Sequence, residues 1–510
     1  MDKIVVKHSC IIINDYTWGD SILLQNSFSI IDIFHNVTYI GIEYNENTKQ
    51  LILPRGIDIP FLENIFNVSA VIDYNCDEYD RIEQSKLKFS PRDNVQKEAL
   101  SFMVGYGNYQ YTLSKSQLSL NLNTGKGKTY CSIVSALYLS LRTIIITTSI
   151  EWLNQWKNCI IDYTDIDEKE IFMLVGRTSI YRLLRSDISK YKFILASHDT
   201  IRSYANKKGW DAVTELFKYM KVGIKIFDES HLNFDNISKI DFHTNTYKTY
   251  YVTATPARSD QKENSIYKLY FKNIPAIELF DSEEDPHTHY ISFKYNSRPN
   301  PIQITKCKNR LGLDRNAYCE YITSNDNFYK MMTYIINLAL THEGKCVIYI
   351  ATNNGILKVK EWLEYNYPML WGDIGIFTSI IPKELKNSQL NKKIILSTTK
   401  SLGAAVDIKD LKMVVVAAEP FKSEVLARQT LGRTRNNNTF YIELVDMAFV
   451  QIVKFYRSKQ HVFLKYALSC REINFSTPVD FNKMYDSAVI NKSNIPLRNE
   501  ILLDEIIITD

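Results

Sequence analysis

A loop rich in glycine and lysine lies between an apolar run and a helix-like stretch near residue 125. Its residues are Thr124-Gly125-Lys126-Gly127-Lys128-Thr129, and each residue type suits the binding of a nucleoside triphosphate. Backbone N–H groups at a helix N-terminus surround phosphate oxygens, a lysine ammonium reaches the β- and γ-phosphates, and a threonine hydroxyl binds Mg²⁺. The full motif has Gly or Ala where this chain has Leu122, so the loop by itself leaves ATP binding open.

An acidic pair follows about 100 residues later, at the end of another apolar run, in the sequence Asp228-Glu229-Ser230-His231. Ligands of an open parallel sheet bind at the C-terminal ends of its strands. There Asp228 would hold Mg²⁺ through water and Glu229 would orient or deprotonate the attacking water. The two motifs together predict a site for ATP and Mg²⁺, with Lys128, Asp228 and Glu229 as catalytic residues and Thr129 and Asp228 as metal ligands.

The order of these motifs resembles that of the superfamily 2 helicases and translocases over roughly residues 90 to 450. Upstream of the loop, residues 91–100 resemble the glutamine element of that family. The resemblance implies that Gln96 pairs with the adenine base and that Arg92 also contacts the nucleotide. An ordinary helix start is the alternative interpretation of this segment.

Other segments of the first half resemble the motifs with which that family touches nucleic acid. Residues 142–148, followed by Trp152 and Gln155-Trp156, resemble motif Ia, and residues 196–200 resemble the next motif at a strand end. Residues 253–260 (TATPARSD) resemble motif III, which links hydrolysis to movement along the strand. The residues for which the resemblance implies nucleic-acid binding or coupling are Thr147, Trp152, Ser197, His198, His231, Thr253, Thr255 and Arg258.

Residues 397–408 in the second half resemble motif V, although Ala405 stands where the family usually has Gly. The resemblance implies that Thr399 faces the nucleic-acid strand. It also implies that Asp407 faces the nucleotide.

Residues 429–436 (QTLGRTRN) resemble motif VI, whose arginines reach the γ-phosphate and stabilise charge in the transition state. Gln429 and Arg433 match the motif. Its last arginine falls on Asn436, and Arg435 lies one residue earlier. We expect Arg433 to be functional and Arg435 to replace the missing arginine.

Short apolar runs that alternate with longer amphipathic stretches predict βαβ units on parallel sheets. The fold class that we expect is α/β, with two tandem RecA-like parallel-sheet lobes preceded by a small α+β N-terminal domain. The predicted boundaries are 1–88 for the N-terminal domain, 89–285 for lobe 1, 286–475 for lobe 2 and 476–510 for a C-terminal tail. A less regular segment, 281–303, is expected to separate the lobes.

The strands predicted in the lobes are Leu118–Leu122, Thr143–Thr147, Phe193–Ala196, Val222–Phe227 and Tyr250–Thr253, then Cys346–Ile350, Ile374–Phe377, Ile394–Ser397, Met413–Ala417 and Phe440–Leu444. In the N-terminal domain, residues 49–56 fit a hairpin that presents Arg55 to DNA. A plain turn after an edge strand fits them equally well.

The composition permits these functions without selecting one. The chain of 510 residues has 61 basic and 57 acidic side chains, and this excess is too small to identify a nucleic-acid partner. Its 8 cysteines lack the short paired spacing of zinc sites, which favours a reduced, metal-free interior. No run is long and apolar enough for a membrane span and the start lacks a secretory signal, so we expect no membrane partner and a cytoplasmic protein, in the host cytoplasm if its source is viral or a phage.

The expected activity is ATP hydrolysis coupled to unwinding or translocation on DNA, at branched or duplex/single-strand junctions, with RNA the less favoured partner. The sequence DESH, the TATPxRxD form and the Gln-Trp pair resemble the DNA-directed branch of the superfamily, which includes UvsW-type phage, XPB-type and poxvirus transcript-release helicases. The alternatives are the motor subunit of a restriction or nuclease system, an RNA helicase or transcript-release factor, and a nucleic-acid-binding scaffold that lacks hydrolysis. Protein partners are not predicted.

Overall fold

The chain folds into two compact units, Met1–Ser282 and Glu283–Asp510, in the computed structural model. The residues that the structure describes are 2–17, 19, 22–31, 37–45, 48–122, 125–232, 234–254, 261–279, 288–310, 312–402, 408–431, 439–475 and 485–490. At residues 23, 31, 39, 261, 383, 384, 425, 429 and 485–490 the description covers the backbone alone. The predicted boundaries at residues 88, 285 and 475 stay predictions.

The first unit begins with a small mixed sheet. Its elements are β1 (Ile4–Val6), β2 (Cys10–Ile13), α1 (Ile22–Ser27), β3 (Ser29–Ile31), β4 (Val37–Tyr39), β5 (Glu43–Asn45), β6 (Gln50–Pro54), α2 (Ile59–Phe66) and β7 (Val71–Ile72). Five of these strands form a sheet in the order β5-β6-β2-β1-β7, and β3 pairs with β4 separately.

Arg55 follows an inner strand of the small sheet. Strand β6 lies between β5 and β2, so the alternative of a turn after an edge strand is wrong in placing this strand at an edge. The Arg55 side chain is half-buried, its Nε is enclosed, and burial lowers its pKa. Presentation of Arg55 to DNA stays a prediction.

The small sheet packs against lobe 1 through a shared apolar core. Buried side chains of β1, β2 and β6 belong to the same cluster as Ile144, Phe227 and Tyr251 of lobe 1. At the backbone of Gly56 the approach is so close that an added Cβ would overlap the carbonyl oxygen of Tyr270. The N-terminal residues are therefore fixed to one face of the lobe 1 sheet.

Lobe 1 is a parallel sheet wound with helices. Its elements are α3 (Asn94–Val104), β8 (Gln117–Leu122), α4 (Lys128–Leu139), β9 (Thr143–Thr147), α5 (Ile150–Tyr163), β10 (Ile171–Leu174), α6 (Arg177–Leu183), β11 (Phe193–Ser197), α7 (His198–Lys208), α8 (Trp210–Met220), β12 (Ile224–Asp228), α9 (Phe234–Phe242), β13 (Lys248–Thr253), α10 (Gln261–Phe271) and β14 (Ala276–Leu279). The sheet order is β10-β11-β9-β12-β13-β8-β14, and each neighbouring pair is parallel.

Both faces of the lobe 1 sheet are covered, as a parallel sheet requires. Along β9 the side chains alternate, so that Ile144 and Ile146 enter the core shared with the N-terminal sheet and Ile145 enters the core on the other face. Since all seven strands run the same way, their C-terminal ends meet at one edge of the sheet. The loops that carry the predicted motifs leave from that edge.

Lobe 2 has the same architecture. Its elements are β15 (Thr288–Tyr295), α11 (Pro301–Lys306), β16 (Lys308–Asn309), β17 (Gly312–Leu313), α12 (Arg315–Ile322), α13 (Asp326–Thr341), β18 (Lys345–Ile350), α14 (Asn353–Asn366), β19 (Ile374–Phe377), α15 (Lys383–Gln389), β20 (Ile394–Ser397), α16 (Thr399–Leu402), β21 (Leu411–Ala418), α17 (Glu424–Leu431), β22 (Thr439–Asp446), α18 (Val450–Tyr466), β23 (Ser469–Asn474) and β24 (Tyr485–Ile490). The sheet order is β19-β20-β18-β21-β22-β15-β23-β24, with β24 antiparallel.

Apart from the β16–β17 hairpin and β24, the sheet strands of both lobes occur in the same spatial order. If the strands of each lobe are counted along the chain from β8 and from β15, both sheets read 3-4-2-5-6-1-7. The predicted fold class of two tandem RecA-like lobes is confirmed. Among the described residues, none of the helices combines the length and the apolar character that a bilayer crossing needs.

The sequence pattern missed several strands. Residues 288–295, expected to be part of an irregular separator, form β15, which lies between β22 and β23 inside the lobe 2 sheet. Its sequence THYISFKY mixes polar and apolar residues, and the prolines and asparagines on either side obscure the strand pattern. Strands β10 and β14, which form the two edges of the lobe 1 sheet, were also missed.

Candidate functional site

The phosphate-binding loop joins β8 to α4 as predicted. Gly125 and Gly127 have φ values of 86° and 88°, a left-handed conformation that glycine adopts without strain. A Cβ on Gly127 would also overlap the side-chain nitrogen of Gln96. Helix α4 begins at Lys128, and Gly127 has no side chain that could cap the first N–H groups. Those groups therefore face the loop, where an anion binds most favourably.

Leu122 does not disturb this loop. It is the last residue of β8, pairs with Leu279 of β14, and is completely buried in the core. Its side chain therefore points away from the phosphate side. The small residue that the motif usually has at this position is not needed for the turn that Gly125 and Gly127 make.

Lys128 forms an ion pair with Glu229 across the top of the sheet. The distance from Lys128 Nζ to Glu229 Oε1 is 3.1 Å, and the two side chains are only 11% and 12% exposed. Glu229 follows β12 with a φ of 48°, a strained conformation for a residue with a side chain, and such strain is characteristic of functional sites. Thr129, the second residue of α4, is half-buried beside them.

Asp228, at the C-terminal end of β12, has both carboxylate oxygens engaged. The backbone N–H of Glu229 donates to Oδ1 at 3.0 Å, and the indole Nε1 of Trp156 donates to Oδ2 at 2.7 Å. Burial and the neighbouring Glu229 raise the pKa of Asp228 to about 6. Burial also raises the pKa of Glu229, but Lys128 and His231 outweigh it, so that this pKa lies below its usual value. The pKa of Glu229 is therefore lower than that of Asp228, and Glu229 is the more acidic of the two.

A chain of buried polar contacts continues from Glu229 to the strand that precedes the predicted motif III. The Nδ1 atom of His231 lies 3.3 Å from Glu229 Oε2 and 2.8 Å from the hydroxyl oxygen of Thr253. Both His231 and Thr253 are buried. Lys128, Glu229, His231 and Thr253 thus form one continuous path from the phosphate loop to the end of β13.

The glutamine element lies against the phosphate loop. The Gln96 side chain is buried, its Oε1 accepts from the backbone N–H of Arg92 at 2.8 Å, and its Nε2 donates to the carbonyl of Lys126 at 3.4 Å. Arg92 is exposed and donates from Nη2 to the carbonyl of Gly125 at 3.3 Å. Gln96 therefore braces the loop in this conformation, and adenine recognition by Gln96 and Arg92 stays a prediction.

The residues predicted from motif Ia and the next motif are mostly buried. Thr147 is completely buried and donates to the carbonyl of Ser149 at 3.0 Å, and Trp152 is 8% exposed. Ser197 caps α7 by accepting from the backbone N–H of Thr200 at 3.2 Å. These side chains shape the two turns, and contact of the turns with nucleic acid stays a prediction.

His198 is enclosed in the core and stacks on Phe227, with the ring planes 12° apart. Neither of its ring nitrogens has a hydrogen-bond partner among the described residues. Burial lowers its pKa to about 3, so that the ring is neutral at physiological pH. In this conformation His198 serves as a packing residue behind the turn and offers no surface to a phosphate.

In lobe 2, Thr399 is held by a buried carboxylate. Its backbone N–H and its hydroxyl donate to Glu419 at 2.7 and 2.6 Å, and Arg315 Nη2 donates to the same carboxylate at 3.1 Å. Burial raises the pKa of Glu419, although the bonds from Thr399 and the charge of Arg315 act against that rise. The predicted motif V turn is therefore tied to the end of β21.

Several predicted site residues lie outside the described residues: Thr124, Thr255, Arg258, Asp407, Arg433 and Arg435. Gln429 lies in α17, but its side chain is outside the description. Of the segment predicted as motif III, the structure describes Thr253 and Ala254.

Residues that the sequence did not single out also belong to these sites. Glu419 and Arg315 in lobe 2 gave no local signal, because they lie 104 residues apart in the chain. On lobe 1, a cleft of about 320 Å³ is lined by Arg177, Asp199, Arg202, Ser203, Asn206 and Lys207. Basic residues spaced along α7 were the available signal for this cleft.

Comparison with known proteins gives matches over both lobes. Residues 88–258 match the family described as "Type III restriction enzyme, res subunit". The chain is similar to the helicase/translocase subunit XPB of the general transcription and DNA repair factor IIH from Enterocytozoon bieneusi, with 22% identity over 90% of this chain and 78% of the relative. It is also similar to putative helicase 161L of Invertebrate iridescent virus 6, with 22% identity over 82% of this chain and 91% of the relative.

Solved structures show the same fold. S. cerevisiae Dbp5, in a complex with RNA and ADP BeF3, matches 76% of this chain and 91% of its own, with a TM-score of 0.53 and 14% identity. T4 UvsW matches 93% of this chain and 100% of its own, but its TM-score of 0.36 is too low to assign a subfamily.

The loop between β8 and α4, the carboxylates after β12 and the repeated 3-4-2-5-6-1-7 sheets define a two-lobed nucleoside triphosphatase of the RecA-like type. The order of its motifs, the match to the res subunit family over residues 88–258 and its helicase relatives support a superfamily 2 helicase, an enzyme that uses ATP to move on or unwind nucleic acid.

Proposed function

We propose that this helicase is a DNA-directed translocase, driven by hydrolysis of Mg²⁺·ATP, that remodels branched or duplex DNA. The observation that carries the motor part of the proposal is the buried path Lys128, Glu229, His231 and Thr253. It connects the group that would hold a phosphate to the strand end from which the movement-coupling motif departs.

The residues at the loop fit Mg²⁺·ATP. The left-handed Gly125 and Gly127 allow the backbone to approach the phosphates, and Thr129 and Asp228 would hold the metal, which neutralises phosphate charge. An arriving γ-phosphate would draw Lys128 away from Glu229, because the phosphate carries more negative charge than one carboxylate. Glu229, freed from its cation, becomes the stronger base for the proton of the attacking water.

The position of His231 allows it to respond to that change. When Lys128 leaves Glu229, the carboxylate gains attraction for His231, whose Nδ1 also contacts the Thr253 hydroxyl. A shift of the His231 ring toward Glu229 would lengthen its contact with Thr253. A change at the nucleotide would thus alter the end of β13 through the contacts of His231 with Glu229 and with Thr253.

The cleft between α6 and α7 is the feature of lobe 1 that best suits a nucleic-acid backbone. Arg177, Arg202 and Lys207 supply three cations around about 320 Å³, against the single carboxylate of Asp199. The cleft is lined by the first residue of α6, which follows β10, and by residues from the first to the last turn of α7, which follows β11. Contacts of this kind bind the phosphates of any sequence and weaken with salt.

DNA is favoured over RNA by one relative that spans most of the chain. The XPB relative is named for transcription and DNA repair, and it matches 90% of this chain. The small N-terminal sheet followed directly by two lobes resembles the layout of UvsW-type enzymes, and this resemblance favours branched DNA as the substrate. An intracellular location, and Arg433 and Arg435 as the arginines that reach the γ-phosphate, stay predictions.

The test is the ATPase rate of the full-length protein with single-stranded, duplex, forked and four-way DNA and with single-stranded RNA. We expect the strongest stimulation from forked or four-way DNA and the loss of all stimulated turnover in Lys128→Ala. Stimulation by RNA alone would contradict the DNA assignment. Strand binding without turnover on every substrate would instead indicate a scaffold that lacks hydrolysis.

A second candidate is the motor subunit of a restriction or nuclease system, because residues 88–258 match the res subunit family. That match covers lobe 1, which such systems share with other motors. Co-purification with a nuclease subunit, or ATP-dependent cleavage of DNA by the purified chain, would support this candidate. Unwinding or branch migration without cleavage would exclude it.

A further inference from the structure

The hydrogen bond from Trp156 to Asp228 joins two motifs that the sequence separates by 72 residues. Trp156 lies on α5, the helix that starts at the predicted motif Ia turn, and Asp228 ends β12. We infer that Trp156 is a positioning residue that orients the Asp228 carboxylate for Mg²⁺ and ties α5 to the metal site. The inference rests on the proposed Mg²⁺·ATP site and deepens it.

The geometry leaves the Asp228 carboxylate little rotational freedom. One oxygen accepts the Glu229 backbone N–H at 3.0 Å, and the other accepts the Trp156 indole at 2.7 Å. Each oxygen keeps a second lone pair for a water on the metal. A bond to an ionised acceptor at this distance is of the stronger kind. Without the indole, Oδ2 of Asp228 would lose its donor, and the carboxylate would be free to rotate.

Packing alone does not account for the indole. The Trp156 ring is 2% exposed and belongs to the core cluster on one face of the lobe 1 sheet, together with Leu153 and Ile160 of the same helix. Phenylalanine or leucine would fill an apolar position there without a polar atom. Tryptophan brings one donor into the core, and that donor meets the predicted metal ligand.

The position of Trp156 on α5 gives the bond a second consequence. Ser149 caps the start of this helix by accepting from the backbone N–H of Trp152, and Thr147 donates to the carbonyl of Ser149. Trp156 lies in the second turn after that cap. A nucleic-acid strand that displaces the motif Ia turn would therefore also displace the Trp156 indole, which donates to Asp228. Nucleic-acid binding and metal binding would then influence each other.

The test compares the affinity of the full-length protein for ADP in Mg²⁺ and in EDTA by calorimetry. The ratio of the two affinities measures how strongly Mg²⁺ supports nucleotide binding. We expect Trp156→Phe to reduce this ratio by roughly 5- to 10-fold while the affinity in EDTA changes less than about 2-fold. Trp210→Phe, which removes an indole stacked on His243 in the same unit, is the matched control and should leave the ratio unchanged.

A double-mutant cycle with Asp228→Asn separates positioning from packing. If Trp156 acts through Asp228, adding Trp156→Phe to Asp228→Asn should reduce the ratio no further. An equal reduction in both backgrounds would overturn the inference. If Trp156→Phe does not fold, benzothienylalanine at position 156 keeps the ring shape and removes only the N–H, and the same reduction is expected.

The two proposals fail in different ways. A wild-type protein whose ADP affinity does not depend on Mg²⁺ would contradict the proposed metal site itself. A wild-type protein with a clear dependence that Trp156→Phe leaves within about 2-fold would contradict the role of Trp156 alone.

Discussion

The two lobes have the same strand order but use the ends of equivalent strands differently. The fifth strand of lobe 1, β12, ends at Asp228 and Glu229, and the fifth strand of lobe 2, β21, is followed directly by Glu419. Each lobe pairs its carboxylate with a cation that follows its first strand. In lobe 1 that cation is Lys128, and in lobe 2 it is Arg315.

The difference lies in what else holds these groups. In lobe 1 the helix after the first strand has Gly127 at its N-cap position, and glycine has no side chain with which to cap the helix N-terminus. In lobe 2 the first strand leads to α11, where Asn300 and Gln303 form a reciprocal capping box. The backbone N–H of Ser297 there donates to the buried carboxylate of Asp446 at 3.1 Å.

The two lobes therefore differ in whether their own side chains hold the groups that follow the first strand. Lobe 2 satisfies the donors that follow its first strand with its own side chains, so that a phosphate would have to displace a carboxylate. In lobe 1 the equivalent donors are the backbone N–H groups at the start of α4, where the cation is Lys128. The predicted consequence is that substitutions at equivalent positions have unequal effects.

The largest effect is expected at the two cations. Lys128→Ala should reduce DNA-stimulated ATP hydrolysis at least about 100-fold, because a charge-stabilising donor to the phosphates is lost. Arg315→Ala removes the cation that pairs with the lobe 2 carboxylate and should reduce it by less than about 10-fold, because Thr399 still holds Glu419. Steady-state phosphate release measures both. Equal losses of ATP hydrolysis in the two variants would show that the two cations contribute equally, which would contradict the difference between the lobes.

The two carboxylates should separate hydrolysis from strand engagement. Glu229→Gln should lower turnover at least about 100-fold and keep ATP binding within about 3-fold, since the amide cannot take a proton from water. In Glu419→Gln one acceptor oxygen becomes a donor, so that the N–H and hydroxyl of Thr399 compete for the other. The DNA concentration for half-maximal ATPase should then rise roughly 3- to 10-fold, with basal turnover within about 3-fold. An unchanged DNA requirement in Glu419→Gln would show that the Thr399 turn does not engage the strand.

The basic cleft of lobe 1 should make a smaller, salt-dependent contribution to DNA affinity. Arg202→Ala should weaken DNA binding about 3- to 10-fold and lower the slope of log Kd against log salt by about one, as expected for one lost phosphate contact. Lys218→Ala removes the same charge from α8, outside the cleft, where Glu215 pairs with it. Titrations at several salt concentrations compare the two. Equal slopes in Arg202→Ala and the wild type would remove the cleft from the DNA path.

The smallest effect is on stability. The pKa of Asp228 is raised to about 6 from 3.8, so the folded state holds its proton more tightly than the unfolded state, and stability falls as pH rises from about 4 to 6. Above pH 6 the cost of the buried charge is present. Asp228→Asn should therefore raise the melting temperature at pH 7.5 and raise it by less at pH 5.

Glu83→Gln, an exposed substitution outside the helices, is the control for thermal unfolding and should change the melting temperature at neither pH. A drop in the melting temperature of Asp228→Asn at pH 7.5 would mean that the bonds from Trp156 and Glu229 outweigh the cost of burying the charge. That outcome would strengthen the role of Trp156 and reverse the sign expected from burial.

Local sequence determined much of this protein. The glycines at 125 and 127, the acidic pair after an apolar run and the alternation of strands and helices each depend on neighbouring residues. A period, a turn and a helix start can be recognised from such short segments. The α/β class, the two lobes and the positions of Lys128, Asp228 and Glu229 followed from them.

The tertiary structure decided which side chains meet. Lys128 and Glu229 lie 101 residues apart, and Arg315 and Glu419 lie 104 residues apart, so their pairing depends on the order of strands in each sheet. The same order enclosed His198 and Trp152, which the motif pattern assigned to the nucleic-acid surface. Burial is a property of the packed sheet, because layers that are distant in the chain cover a side chain. The spacing of residues in a motif therefore indicates a role at the turn without showing whether the side chain or the backbone performs it.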